Sequence, residues 1–94
     1  MTKQYEFEQA VIRGNAETVR LLLKDDGINP DSPDNDAIFI ACECGHEEIT
    51  KILLEDGRVD PAAEDNFAIL IARENGYTNI VKLLEQAIKE RSND

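Results

Sequence analysis

Cys42-x-Cys44-x-His46, followed by Glu47 and Glu48, is the densest group of potential metal ligands in the chain. Thiolate, imidazole and carboxylate are all zinc ligands. The spacing argues against a site. Structural zinc centres separate paired ligands by roughly two to four residues and bring a second pair from elsewhere. Here one residue separates the cysteines, and the chain has a single histidine. On a helix the two thiols point about 200° apart, so they cannot bridge to each other either. We expect two reduced thiols, as in a reducing compartment, with no metal and no cofactor.

Asp31, Asp34 and Asp36 invite a calcium reading. The helix–loop–helix calcium loop needs glycine at about its sixth position and glutamate at about its twelfth. Counted from Asp31, those places hold Asp36 and Cys42. Turn formation and helix capping explain the aspartates better. Catalysis finds no footing. One histidine has no nucleophile placed beside it by any motif, Ser32 and Ser92 lie in a loop and a tail, and the five glycines are isolated turn residues. The expectation is a non-catalytic protein with no catalytic residue.

The elements that carry these residues are written more than once. Asp34–Leu54 reads DNDAIFIACECGHEEITKILL, and Asp65–Glu85 reads DNFAILIARENGYTNIVKLLE, identical at 11 of 21 positions with an offset of 31 residues. A degenerate first copy keeps Ala10, Gly14, Glu17, Leu22 and Pro30 in register. A fixed period of this size, with two helical patterns per unit, is the mark of a stacked repeat array. Helical spacing of apolar residues predicts helices over about Gln4–Ile12, Ala16–Lys24, Ala37–Cys44, Glu47–Glu55 and Asn79–Arg91, with another opening the third copy after Asp65. Gly14, Gly45 and Gly76 make the inter-helix turns, and Asp34, Asn35 or Asp36 caps the helix after the first loop. Phe7, Ala10, Val11, Val19, Leu22, Leu23, Ile38, Ala41, Ile49, Ile52 and Leu53 form the expected core.

The 94 residues carry 20 acidic and 10 basic side chains, a net charge of −10. Such a chain is repelled by nucleic acid and by anionic membranes. No apolar run approaches the roughly 20 residues of a membrane span, and MTKQYEFEQA has no secretory apolar core. These readings place the protein in the cytoplasm. Polar residues at both ends suggest a complete array and a monomer.

The segment Gly45-His46-x-Glu48-Ile49-x-Lys51-x-Leu53-Leu54, with Gly76, Ile80, Val81, Lys82, Leu83 and Leu84 in the third copy, resembles an ankyrin repeat. The resemblance implies an all-α solenoid of three helix-turn-helix repeats with polar end caps. One domain spans 1–94, divided at about 3–31, 32–62 and 63–94. Two departures stand out. The period is shorter than the usual 33 or so, and Asp36-Ala37-Ile38-Phe39-Ile40-Ala41 replaces the motif T-P-L-H-x-A. Apolar packing must take over from that motif's polar contacts.

The resemblance also implies a protein-interaction module that binds through a concave face of loop tips and first helices. Matched to this sequence, the face holds Ser32, Pro33, Asn35, Asp36, Glu43, Cys44, Glu64, Asn66, Phe67, Glu74 and Asn75, extended by Ile12 and Arg13. Residues 32–62 carry two basic and eight acidic side chains, whereas each flanking copy has four and six. Acid is concentrated in the middle copy, which points to a partner rich in Lys or Arg. Two other readings stand beside it. An engineered or reconstructed scaffold would have no natural partner, although the degenerate first copy argues for a natural sequence. A metal- or thiol-dependent switch would need Cys42, Cys44 or His46.

Overall fold

The computed structural model describes residues 2–32 and 36–92. Among these, six helices and no strand occur: α1 (Lys3–Arg13), α2 (Ala16–Leu22), α3 (Ala37–Cys44), α4 (Glu47–Asp56), α5 (Ala63–Glu74) and α6 (Thr78–Ser92). Each copy is a helix pair. First helices pack along the series α1, α3, α5, and second helices along α2, α4, α6. The pairs form one layer of first helices lying on one layer of second helices.

Local chemistry sets the helix ends. Thr2 Oγ1 accepts from the Tyr5 N–H at 3.1 Å and Asn15 Oδ1 from the Thr18 N–H at 3.2 Å, so each satisfies an otherwise orphaned donor. Of the three cap candidates in the first loop, Asp36 does the work, accepting from the Ile38 N–H at 3.3 Å. Asp34 and Asn35 lie outside the described residues. Gly14, Gly45 and Gly57 end α1, α3 and α4 with left-handed backbone.

Two helices differ from the sequence expectation. The second was expected to reach Lys24 but stops at Leu22. Its last turn tightens, with Lys24 N–H bonding to the Leu21 carbonyl at 3.2 Å and Asp25 N–H to that of Leu22 at 3.0 Å. In α5, Glu64, Asp65 and Asn66 take left-handed angles, with φ of 55°, 56° and 66°. Such backbone costs a non-glycine residue about 1–2 kcal/mol, and Asp and Asn tolerate it best. The turn is held by Asn66 N–H on the Ala62 carbonyl at 3.1 Å, and by Ala62 N–H on Asp60 Oδ1 at 2.9 Å. The right-handed part of α5 begins at Phe67.

The core runs without a break between copies. Phe7, Val11, Val19, Ile38, Ala41, Cys42, Ile49, Leu53, Ala68, Ala72, Ile80 and Leu84 are buried in a single cluster. Leu22, expected inside, is half-buried. Among the described residues, Thr50 is the buried polar one, and its hydroxyl donates to the His46 carbonyl at 2.9 Å, so its burial leaves nothing unpaired.

Two glycines seat the next copy. A Cβ on Gly14 would lie 2.9 Å from the His46 ring, and one on Gly45 would lie 2.7 Å from the Tyr77 ring. His46 also donates from Nε2 to the Ile12 carbonyl, 3.1 Å away. Arg58 ties the loops together, donating to the carbonyls of Ile28 at 2.9 Å and Leu23 at 2.7 Å while paired with Asp56.

Candidate partner-binding face

The first helices bury one side and leave another open. In α3, Ala37, Ile38, Ala41 and Cys42 are buried, so Glu43 and Cys44 are left outside. In α5, Ala68 and Ala72 are buried, which exposes Phe67, Leu70, Glu74 and Asn75. Ile12 and Arg13 are exposed at the equivalent end of α1. The open side is therefore continuous across the three copies at the same register positions.

Of the sequence-derived face residues, Glu43, Cys44, Glu64, Asn66, Phe67, Glu74 and Asn75 are exposed, while Ser32 and Asp36 are half-buried. Pro33 and Asn35 lie outside the described residues. Asn75 turns part of its amide inward, donating from Nδ2 to the Ile71 carbonyl at 2.8 Å. Phe67 packs on α3, the first helix of the preceding copy. Its ring meets Phe39 edge to face, with centroids 5.1 Å apart and planes at 87°. Phe67 still exposes 41% of its surface, and Leu70, one turn on, exposes 47%.

The sequence reading left out Phe39 and Leu70. They occupy one repeat position, 31 residues apart, with Glu8 as the first-copy equivalent. That position lies one helical turn from Asp36 and from Phe67, and this spacing was the available signal.

Acidic groups interact at Asp36, one helical turn from Phe39. The Asp36 carboxyl is held above its ordinary value, first by burial, then by the charge of Asp31 and more weakly by that of Glu64. The backbone N–H groups of Ile38 and Phe39 pull the other way. Asp31, Asp36 and Glu64 thus share one field beside the Phe39–Phe67 contact, although they come from different copies.

The other candidate chemistry does not assemble. Cys42 is buried, and burial pushes its thiol up to about 12, against a weaker opposite pull from Thr50. Cys44 is exposed, and the His46 ring is engaged with α1. Among the described residues, no group of three or more His, Cys, Asp or Glu side chains is placed to hold a metal ion. Among them, too, no helix is long and apolar enough to cross a membrane.

A family model for ankyrin repeats, in three copies, matches residues 7–94. The chain belongs to the ankyrin repeat family. Ankyrin repeats are generally protein–protein interaction modules, and the family is typically non-catalytic. Neither a curated protein nor a solved structure matches this ankyrin repeat chain.

Proposed function

We propose that this protein is a non-catalytic interaction module whose concave face takes a protein segment rich in Lys or Arg. One observation carries the reading: the half-exposed Phe39–Phe67 pair, extended by Leu70, lies beside an acidic field. Aromatic rings attract cationic side chains, by about 0.5–1 kcal/mol at exposed sites. The carboxylates of Glu43, Glu64 and Glu74 steer such a segment in, and Asn66 and Phe67 set its register. A nucleic acid or an anionic membrane meets the wrong sign of charge here. Two free cysteines suit a reducing cytoplasm.

The test uses a labelled peptide of Lys, Arg and Leu and reads its association rate by stopped-flow fluorescence. The rate should fall as salt shortens the screening length from about 10 Å at 0.1 M to about 3 Å at 1 M. Glu43→Lys and Glu74→Lys should slow association, whereas Phe67→Ala should speed dissociation. Rates indifferent to salt and to both reversals would place binding elsewhere or nowhere.

A further inference from the structure

The two ends of the stack are finished differently. At the C-terminal end, positions that bury or half-bury apolar groups in the earlier copies become charged. Arg73 stands where the first two copies have the buried Val11 and Cys42, and Glu85 stands where they have Leu23 and Leu54. Arg73 and Glu85 face each other at 3.9 Å as an exposed ion pair.

The outer side of the first copy is more apolar. In the second copy, Ile49 and Ile52 are buried, and Ile52 faces Arg20, Leu23 and Lys24 of the first copy across their shared cleft. The first-copy equivalents are Thr18 and Leu21, which therefore face away from the stack. Leu21 exposes 58% of its surface, and Tyr5 on α1 exposes 47%. Between α1 and α2 lies a hollow of about 340 Å³ lined by Tyr5, Glu6, Gln9, Ala10, Arg13 and Thr18, among others.

We infer that this outer face of α1 and α2 docks a second copy of the chain about a two-fold axis passing near Gln9. The argument for this occupant is charge complementarity. Glu6 and Arg13 are seven residues apart, so they lie on one side of α1 about 10.5 Å from each other, with Gln9 between them. Among the described residues, neither is in an ion pair. Laying two α1 helices antiparallel sets each Glu6 against the partner's Arg13, twice over, as an isologous contact requires. Gln9 then meets its own counterpart, and Leu21 and Tyr5 are covered from both sides. Opposite charges at the contact let two chains of net charge −10 approach there. The contact is small, so the dimer forms at high concentration, in place of the monomer expected from polar ends.

Sedimentation equilibrium over a wide concentration range tests this at low and at high salt. Mass should rise from the 10.5 kDa of one chain toward twice that value. Glu6→Arg and Arg13→Glu should each remain monomeric while keeping the parent circular dichroism spectrum. Mixed in equal amounts, they should dimerise again, because the mixture restores both pairs. Leu21→Lys, which leaves the α1 charges intact, should also weaken the dimer. The inference fails if the parent stays at one chain mass throughout. It fails equally if its dimer ignores the single reversals, or if the mixed variants stay apart.

Discussion

The second and third copies are the same text at 11 of 21 positions, yet one is covered on both sides and the other on one. Where they agree, most of the burial agrees, although Ile38 is buried and its equivalent Ile69 only half-buried. Ala41 and Ala72, Ile49 and Ile80, and Leu53 and Leu84 are all buried. Where they diverge toward the C-terminal end, Cys42 and Leu54 give way to Arg73 and Glu85, which are exposed and paired. The period fixes which way a residue points, and the side chain placed there differs between the two copies. A second divergence is at the start of each first helix. Asp36 caps α3 through a hydrogen bond, whereas its equivalent, Phe67, has no such group and packs on Phe39 instead. Helix start and helix contact are thus traded against each other at one position.

The largest expected difference is in thiol chemistry. With its thiol pushed up to about 12, Cys42 has a thiolate fraction of roughly 10⁻⁵ at neutral pH, and it is fully buried in the core. Alkylation of the native protein, followed by mass spectrometry, should modify Cys44 and spare Cys42 until denaturant is added. Equal rates would mean that the core around Cys42 does not stay packed.

Core truncation comes next. Leu53→Ala should cost about 2–5 kcal/mol, and Leu84→Ala, in the end copy, somewhat less. Leu22→Ala should cost less again, because Leu22 is half-buried. Urea melts of the three variants give that order, and equal midpoints would break the nearest-neighbour picture.

The inter-helix glycines give a sharper contrast. Gly45 and Gly76 have nearly the same φ, +76° and +75°, but Gly45 lies under the Tyr77 ring and Gly76 has nothing within 4 Å. Gly76→Ala should cost only the left-handed backbone penalty of about 1–2 kcal/mol. Gly45→Ala should add roughly 1–3 kcal/mol of overpacking. Matching thermal shifts would show that Tyr77 is not seated on Gly45.

The smallest effect belongs to Asp36. Its folded value lies above the ordinary one, so its ionised form is disfavoured in the fold, and its contribution becomes less favourable as pH rises through that range. Asp36→Asn keeps a good cap and removes the charge. The variant should equal or slightly exceed the parent in stability at neutral pH, and the gain should vanish at pH below the ordinary carboxylate value. A gain that grew on acidification would contradict the sign.

The stack was legible because a 31-residue offset cannot be hidden: Gly14, Gly45 and Gly76 mark the turns, and Ala10, Ala41 and Ala72 mark one buried position. Helix ends were legible where a cap or glycine stood, as at Asp36 and Gly45, and less so in α2, where Leu23 and Lys24 continue the apolar and basic pattern past the last helical turn. The left-handed turn at Glu64–Asn66 carries no glycine to announce it. On the open face the sequence pointed to Phe67 and the carboxylates. Phe39 was missed because its position alternates between Glu8, Phe39 and Leu70, and a position with no fixed character reads as plain surface. Its pairing with Phe67 depends on how two copies are set side by side, which the period alone does not state.

Backbone chemical-shift mapping of the isotope-labelled protein, titrated with the peptide of Lys, Arg and Leu, tests the binding face most directly. Shifts concentrated at Phe39, Glu43, Phe67, Leu70 and Glu74, with α4 and α6 unmoved, are the expected result. Shifts concentrated on α4 and α6, or none at saturating peptide, would contradict it.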